Sequence, residues 1–324
     1  MSRRSFCWTL ARVLVAPGVA IAQASKVVRR IGVLEPGPPD PPGWLWKEAE
    51  PLRELGWVEG QNLHVERRYD NGRLEAQQAL AEELVRAKVE IIVTGNTATT
   101  LAAKRATTTV PIVFRAGDPV LLGLVASLAR PGGNLTGFSL AGPEVIAKSL
   151  SVLKELLPRL QRIGALWDMG NPYSRANRGQ FEHICRGLGV VPVIVEISAA
   201  SDMGGAFQQL VERRVQALVL EGDIIWDRRF EIVDAAIKYG LPTMADDPEM
   251  VRETGALIAY SATWGEQFRL RARYIDRILR GAQPADLPVQ QPTKFELVIN
   301  LKTAQALGLT IPKQLLLRVD EVIQ

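Results

Sequence analysis

Hydrophobic positions recur along this chain in short unbroken runs, each stopped by an abrupt polar or glycine-containing turn. The run Ile31-Gly32-Val33-Leu34 follows Arg29-Arg30 and stops at Glu35-Pro36-Gly37; the run Ile163-Gly164-Ala165-Leu166-Trp167 follows Gln161-Arg162 and stops at Asp168-Met169-Gly170. Apolar runs of this length between turn residues predict buried strands. Stretches with helical spacing lie between them, as at 76–87 and 230–239. The alternation predicts repeated βαβ units, and therefore parallel sheets covered by helices on both faces.

The pattern is written twice. Besides the Arg-Ile-Gly phrase, 54–58 matches 187–191, 84–93 matches 210–219, and 135–139 matches 257–261. Val110-Pro111-Ile112, leading to Asp118-Pro119, is matched by Leu241-Pro242-Thr243, leading to Asp247-Pro248. The offsets run from 122 residues (135 to 257) to 133 (55 to 188), in the same order throughout. Such ordered repetition predicts two similar α/β lobes. Ligands of open parallel sheets bind beyond the carboxyl ends of the strands, so two such lobes face to face predict a cleft.

The first 24 residues stand apart. Arg3 and Arg4 precede an apolar run from Trp8 to Ile21, broken by Arg12 and Pro17 and ending in Ala22-Gln23-Ala24. This is the pattern of a secretory signal peptide, too short and interrupted for a membrane span, and it predicts export to the periplasm. Losing Arg3, Arg4 and Arg12 takes the 39 basic residues to 36 against 35 acidic ones, so the mature chain carries about +1 rather than +4. The basic balance therefore gives no argument for a nucleic-acid partner. At 324 residues, 47% apolar and 23% charged, the chain has globular composition and room for two domains. Cys7 leaves with the leader, and Cys185, alone in an apolar helical context, reads as a buried small hydrophobe.

Candidate chemistry gathers at the strand ends. Thr94-Gly95-Asn96-Thr97-Ala98-Thr99 follows an apolar strand and opens a helix expected at 100–107, so its backbone N–H groups suit a carboxylate; simple capping by Asn96 or Thr97 is the other reading. Asp118-Pro119 reads as an N-cap before a helix expected at 120–129, and 130–134 as a turn. Trp44, Trp46, Trp167, Tyr173, Trp226 and Tyr260 fall in the same regions, as aromatic linings of small-molecule pockets do.

Catalytic patterns are missing: no P-loop, no dinucleotide fingerprint, no His-Glu-x-x-His, no Cys-x-x-Cys. With only His64 and His183, no metal site is expected, nor any cofactor. Ser139, Asp168 and His183 follow hydrolase order, but the Ser lacks the second Gly of a nucleophile elbow and precedes Gly142-Pro143, so no catalytic residue is assigned.

Several segments resemble the ABC transporter substrate-binding proteins that include tryptophan and tyrosine binders. They are 30–34, 52–62 (Leu-Arg-Glu-Leu-Gly-Trp-Val-Glu-Gly-Gln-Asn), 117–120, 128–137 (Leu-Ala-Arg-Pro-Gly-Gly-Asn-Leu-Thr-Gly) and 291–302 (Gln-Pro-Thr-Lys-Phe-Glu-Leu-Val-Ile-Asn-Leu-Lys), and the resemblance covers 28–323. It implies an α/β, type I periplasmic-binding-protein fold: two Rossmann-like lobes with parallel sheets, joined by three crossings around a central cleft. One lobe would hold 28–140 plus 263–284 and the other 141–262 plus 285–324, with crossings at 139–145, 261–265 and 281–292. It further implies ligand contacts at Glu35, Pro36, Asn96, Thr97, Ala98, Gly117, Asp118, Phe138, Ser139, Asn171, Asp223, Asp246 and Tyr260, with the ligand carboxylate at 96–98. The implied role is that of a periplasmic monomer handing a small molecule to an ABC permease in the inner membrane. A ligand-sensing domain working with a membrane receptor or kinase is the alternative the same fold supports. Two departures bear on the ligand: Pro51 lies where a first helix should kink or start late, and prolines crowd 36–42.

Overall fold

Strand-forming runs assemble into two separate sheets in the computed structural model, which describes residues 28–39, 47–140, 143–198 and 201–324. The first sheet contains β1 (Arg29–Glu35), β2 (Leu63–Tyr69), β3 (Ile91–Thr94), β4 (Ile112–Ala116) and β5 (Leu135–Ser139), all parallel, in the order β2-β1-β3-β4-β5. The second contains β6 (Arg162–Asp168), β7 (Val191–Ile197), β8 (Ala217–Leu220), β9 (Thr243–Ala245), β10 (Ile258–Ala262), β11 (Phe295–Asn300) and β12 (Glu321–Ile323). Its order, β12-β11-β10-β9-β8-β6-β7, contains the first sheet's order with each strand replaced by its repeat. The duplicated phrases are thus equivalent strands of two like sheets. To these the second sheet adds β11, antiparallel to β10, and β12.

Burial explains why the central strands read as continuous rather than alternating apolar runs. All four residues of β3 and all four of β8 are buried, as expected of strands covered on both faces. The helices are α1 (Ala49–Glu54), α2 (Gln77–Arg86), α3 (Thr97–Ala106), α4 (Pro143–Leu156), α5 (Pro172–Gly187) and α6 (Met203–Glu212), followed by α7 (Asp223–Asp227), α8 (Arg229–Lys238), α9 (Pro248–Thr254), α10 (Trp264–Leu279), α11 (Leu301–Ala306) and α12 (Lys313–Leu316). On one face of the first sheet, Ile31, Val33 and Val93 pack against Leu52 of α1 and Ile275 of α10. On the other, Leu34, Ile92 and Ile112 pack against Leu84 of α2 and Ala102 of α3. Helix α10 therefore follows a strand of the second sheet yet covers the first. The chain returns beside β5, where Ser139 N donates to Gln290 O (2.9 Å) and Gln290 N to Gly137 O (3.0 Å).

Two helix expectations change. Residues 119–128 form turns instead of a helix: Asp118 Oδ1 accepts from Val120 N and Leu121 N, but Gly123 takes a φ of 62°, which an α-helix does not use. Helix α3 starts at Thr97, three residues earlier than expected, because Asn96 caps it. Pro51 falls within the first turn of the short α1, where a missing N–H costs nothing. The leader, Trp44, Trp46 and residues 141–142 lie outside the described residues, as do 40–43 of the proline-rich loop. Cys185 is fully buried, and burial pushes its thiol up to about 12.

Candidate functional site

Strand β3 ends at Thr94, and the next residue has to be small: a Cβ on Gly95 would overlap the Glu35 carboxylate, which lies across it together with the Pro36 ring. Asn96 is extended and closes a capping box, accepting from Thr99 N at 2.9 Å while its own N–H donates to Thr99 Oγ1 at 3.1 Å. That box uses two of the donors at the start of α3. The N–H groups of Thr97 and Ala98, in the same first turn, lie outside it.

The Asn96 amide also reaches across to the second sheet. Its Nδ2 donates to Asp223 Oδ2 at 2.9 Å, and Asn171 Nδ2 donates to the same oxygen at 3.0 Å. Asp223 opens α7 just after β8, and Asn171 caps α5 just after β6, accepting from Tyr173 N and Ser174 N. Loops at the carboxyl ends of three strands, one from the first sheet and two from the second, therefore converge on one carboxylate. A second contact lies nearby: Gly117 N donates to Thr97 Oγ1 at 3.0 Å, and a Cβ on Gly117 would overlap the Tyr173 ring of α5. The sheets thus meet along a closed cleft, with Gly117 needed for the close approach.

Charge is distributed unevenly around it. Burial pushes the Asp223 carboxyl up to about 6, opposed by the Asn96 bond and the Arg115 charge. Arg115, on β4, donates from Nε to Gly95 O at 2.8 Å; burial and the Arg271 charge lower its pKa, while Glu35, Asp223 and Asp247 raise it. Arg271 of α10 is 2% exposed and pairs with the equally buried Glu48 at 2.9 Å, with Glu35 at 3.7 Å. The Arg271–Glu48 approach lacks hydrogen-bond alignment, so Arg271 Nε and Nη2 and Glu48 Oε1 make no hydrogen bond. On the opposite wall, burial alone pushes Glu221 up to about 7. Asp246 is exposed, yet crowding by protein, Glu221 and Asp247 raises its carboxyl well above the usual range.

Of the residues expected at the site, Glu35, Pro36, Asn96, Thr97, Gly117, Asn171 and Asp223 come together through these contacts, and Ala98 lies in the same buried turn. Asp118 is occupied in its turn. Phe138 and Ser139 are buried at the end of β5, where Ser139 Oγ donates to Gly117 O at 3.4 Å. Tyr260 stacks on Phe295 at 5.4 Å and has no hydrogen bond to the Asn96–Asp223 pair. Among the aromatics, Trp167 donates to Ser174 O at 3.0 Å beside the cleft, whereas Trp226 lies under the Arg229 guanidinium. Asp168 accepts from Gly170 N and Asn171 N, and His183 is exposed on α5. Arg115, Glu221 and Arg271 are additions the pattern did not single out; the only local signal for Arg115 is a charge inside an apolar strand. Among the described residues no cluster of His, Cys, Asp and Glu could hold a metal ion.

A family model described as ABC transporter substrate binding protein matches residues 48–323. The chain belongs to this family. A tyrosine-binding protein of Clostridioides difficile (strain R20291) is 26% identical over 260 residues, 80% of this chain and 74% of the relative. A conserved domain protein from Vibrio cholerae O1 biovar El Tor superposes with a TM-score of 0.83 at 26% identity, covering 91% of this chain and 99% of that one. The ABC domain from Streptococcus pneumonia in complex with L-Trp gives 0.81 at 24% identity, covering 91% and 100%. The substrate-binding protein accordingly has the type I periplasmic-binding fold, two Rossmann-like lobes built on mainly parallel sheets. Among the described residues no helix is long and apolar enough to cross a membrane.

Proposed function

We propose that this substrate-binding protein captures a small organic ligand in the cleft, an amino acid being the first candidate, and delivers it to an ABC import permease. The observation that carries this is the Asp223 carboxylate, shared by Asn96 of one lobe and Asn171 of the other at 2.9 and 3.0 Å. Asp223 would hold a ligand ammonium, and the Thr97 and Ala98 N–H groups at the start of α3 its carboxylate. Relatives that bind tyrosine and L-Trp support the choice. The lobes would be 28–140 plus 263–284 and 141–262 plus 285–324, hinged at their crossings, in a monomer exported by the leader at 1–24. Protein recovered from its host should begin near Ser25 and lie outside the cytoplasm; an intact Met1 on soluble cytoplasmic protein would contradict export.

The direct test is a thermal-shift screen over amino acids, small carboxylates and aromatic acids. A ligand at 100 times its Kd adds roughly 2.7 kcal/mol of stability, a shift of several degrees. A screen in which no amino acid shifts the midpoint would remove the amino-acid assignment.

A further inference from the structure

Beside the cleft, within the second lobe, lies a cavity of about 10 Å³ bounded by Trp167, Ser174, Asn177 and Glu221 and by the apolar Ala165 and Val219. It has the size of one water-sized group. Two of its polar groups have no partner. Asn177 is 2% exposed, and its Nδ2 makes no hydrogen bond. Glu221 takes no hydrogen bond or counter-ion among the described residues; burial is the one influence on its carboxyl. Glu221 directly follows β8 and lies two residues before Asp223, while Ser174, also lining the cavity, donates its N–H to Asn171, so the cavity adjoins the residues that meet at the cleft. Trp167 is fixed by its bond to Ser174 O and by Phe181 at 5.2 Å, so the wall opposite is a rigid aromatic plane.

A donor without an acceptor and an acceptor without a donor, both lining a cavity with room for one heavy atom, are the complement of a hydroxyl. A hydroxyl both donates and accepts, and it suits either orientation of the Asn177 amide. An ammonium would bring a second donor to Asn177 Nδ2, and a methyl group would leave both partners unsatisfied. We infer that Asn177 and Glu221 form a hydroxyl-reading subsite, which selects ligands whose distal end carries an aromatic hydroxyl. The inference rests on ligand capture in the cleft, as proposed above, and names the chemistry that the cleft selects.

The test is titration calorimetry of the whole chain with L-tyrosine and L-phenylalanine, paired with saturation-transfer NMR using p-cresol and toluene. Wild-type protein should prefer the hydroxylated member of a pair by roughly 10-fold or more, since a site built around a hydroxyl rejects the analogue lacking it. In Asn177→Leu and Glu221→Leu the preference should fall to near unity while the deoxy compound binds as before; a variant that merely loosened the lobe would weaken both alike. Glu221→Gln, which keeps the shape, covers the case in which a leucine variant does not fold, and should reduce the preference. If the amino acids fail to bind but p-cresol is preferred over toluene in wild type and not in the variants, the subsite stands and the amino-acid reading falls. Equal binding of both members in wild type, an unchanged preference in the variants, or no binding by any of the four probes overturns the inference; a cavity that holds only water gives the first of these.

Discussion

In the first lobe the carboxylates nearest the cleft have cations beside them: Glu48 lies 2.9 Å and Glu35 3.7 Å from Arg271, and the Arg115 charge also reaches both. In the second lobe neither Glu221 nor Asp246 forms an ion pair among the described residues, and burial raises both carboxyls. The two lobes share a strand order, so the contrast does not come from the fold. It comes from which side chains later segments bring in: α10 delivers Arg271 to the first sheet, and no described segment pairs a cation with Glu221 or Asp246. A wall that neutralises itself is preformed, whereas one that leaves carboxyls unpaired holds hydrogen-bonding capacity for a partner that arrives.

The largest effect should come from breaking the neutralised wall. Arg271→Leu strands Glu48 without its ion pair at 1% exposure and should cost about 3–5 kcal/mol in urea unfolding, with much of it regained in Arg271→Leu/Glu48→Leu. A loss below about 1 kcal/mol would mean that the pair does not neutralise the wall. Next is the contact between the lobes. Gly117→Val should leave the separated lobes folded but set a side chain against the Tyr173 ring, weakening ligand binding by roughly 100-fold, or about 2.7 kcal/mol. Calorimetry that finds unchanged affinity would show that closure does not use this approach.

A smaller effect is expected at the start of α3. Thr97→Pro places proline at the first helical position, where it is tolerated, after an Asn96 already extended at φ −149°. It removes one N–H and should cost on the order of 1–3 kcal/mol of binding with little loss of fold. Thr97→Ala keeps the N–H and should bind nearly as wild type. Equal losses in the two variants would assign the effect to the Thr97 hydroxyl, which accepts from Gly117 N. The smallest effect is in pH. Burial raises Glu221 from 4.5 to about 7, so between those values the folded protein holds more protons than the unfolded chain, and stability falls as pH rises. Asp223, raised from 3.8 to about 6, acts in the same direction. Glu221→Gln should flatten the decline between pH 4.5 and 7; an unchanged slope would place the Glu221 carboxyl in solvent.

The fold was legible because buried parallel strands write themselves as local apolar runs, and duplication repeats those runs at near-constant offset. Even so, the apolar spacing of 120–129 reads as a helix, and only the φ of 62° at Gly123 reveals turns. The loop at Asn96–Ala98 was legible for a local reason too, a strand end followed by a helix cap. The charge pattern was not. Glu35 meets Arg271, which is distant from it in the chain, and nothing near residue 221 signals that its carboxyl forms no ion pair. Asn177 is similarly silent, because a polar residue in an amphipathic helix looks solvent-facing until packing buries it to 2%.

The central claim is that the two lobes close around a ligand, with the Asn96–Asp223 bond formed across the cleft on closure, and small-angle scattering tests it most directly. Wild-type protein should give a smaller radius of gyration with the amino acid selected by the thermal screen than without it, as hinge closure requires. Asp223→Ala, which removes the carboxylate that Asn96 and Asn171 share, should stay at the larger radius under the same conditions. An identical radius for wild type with and without a ligand whose binding calorimetry has confirmed, or full compaction of Asp223→Ala, would contradict the account.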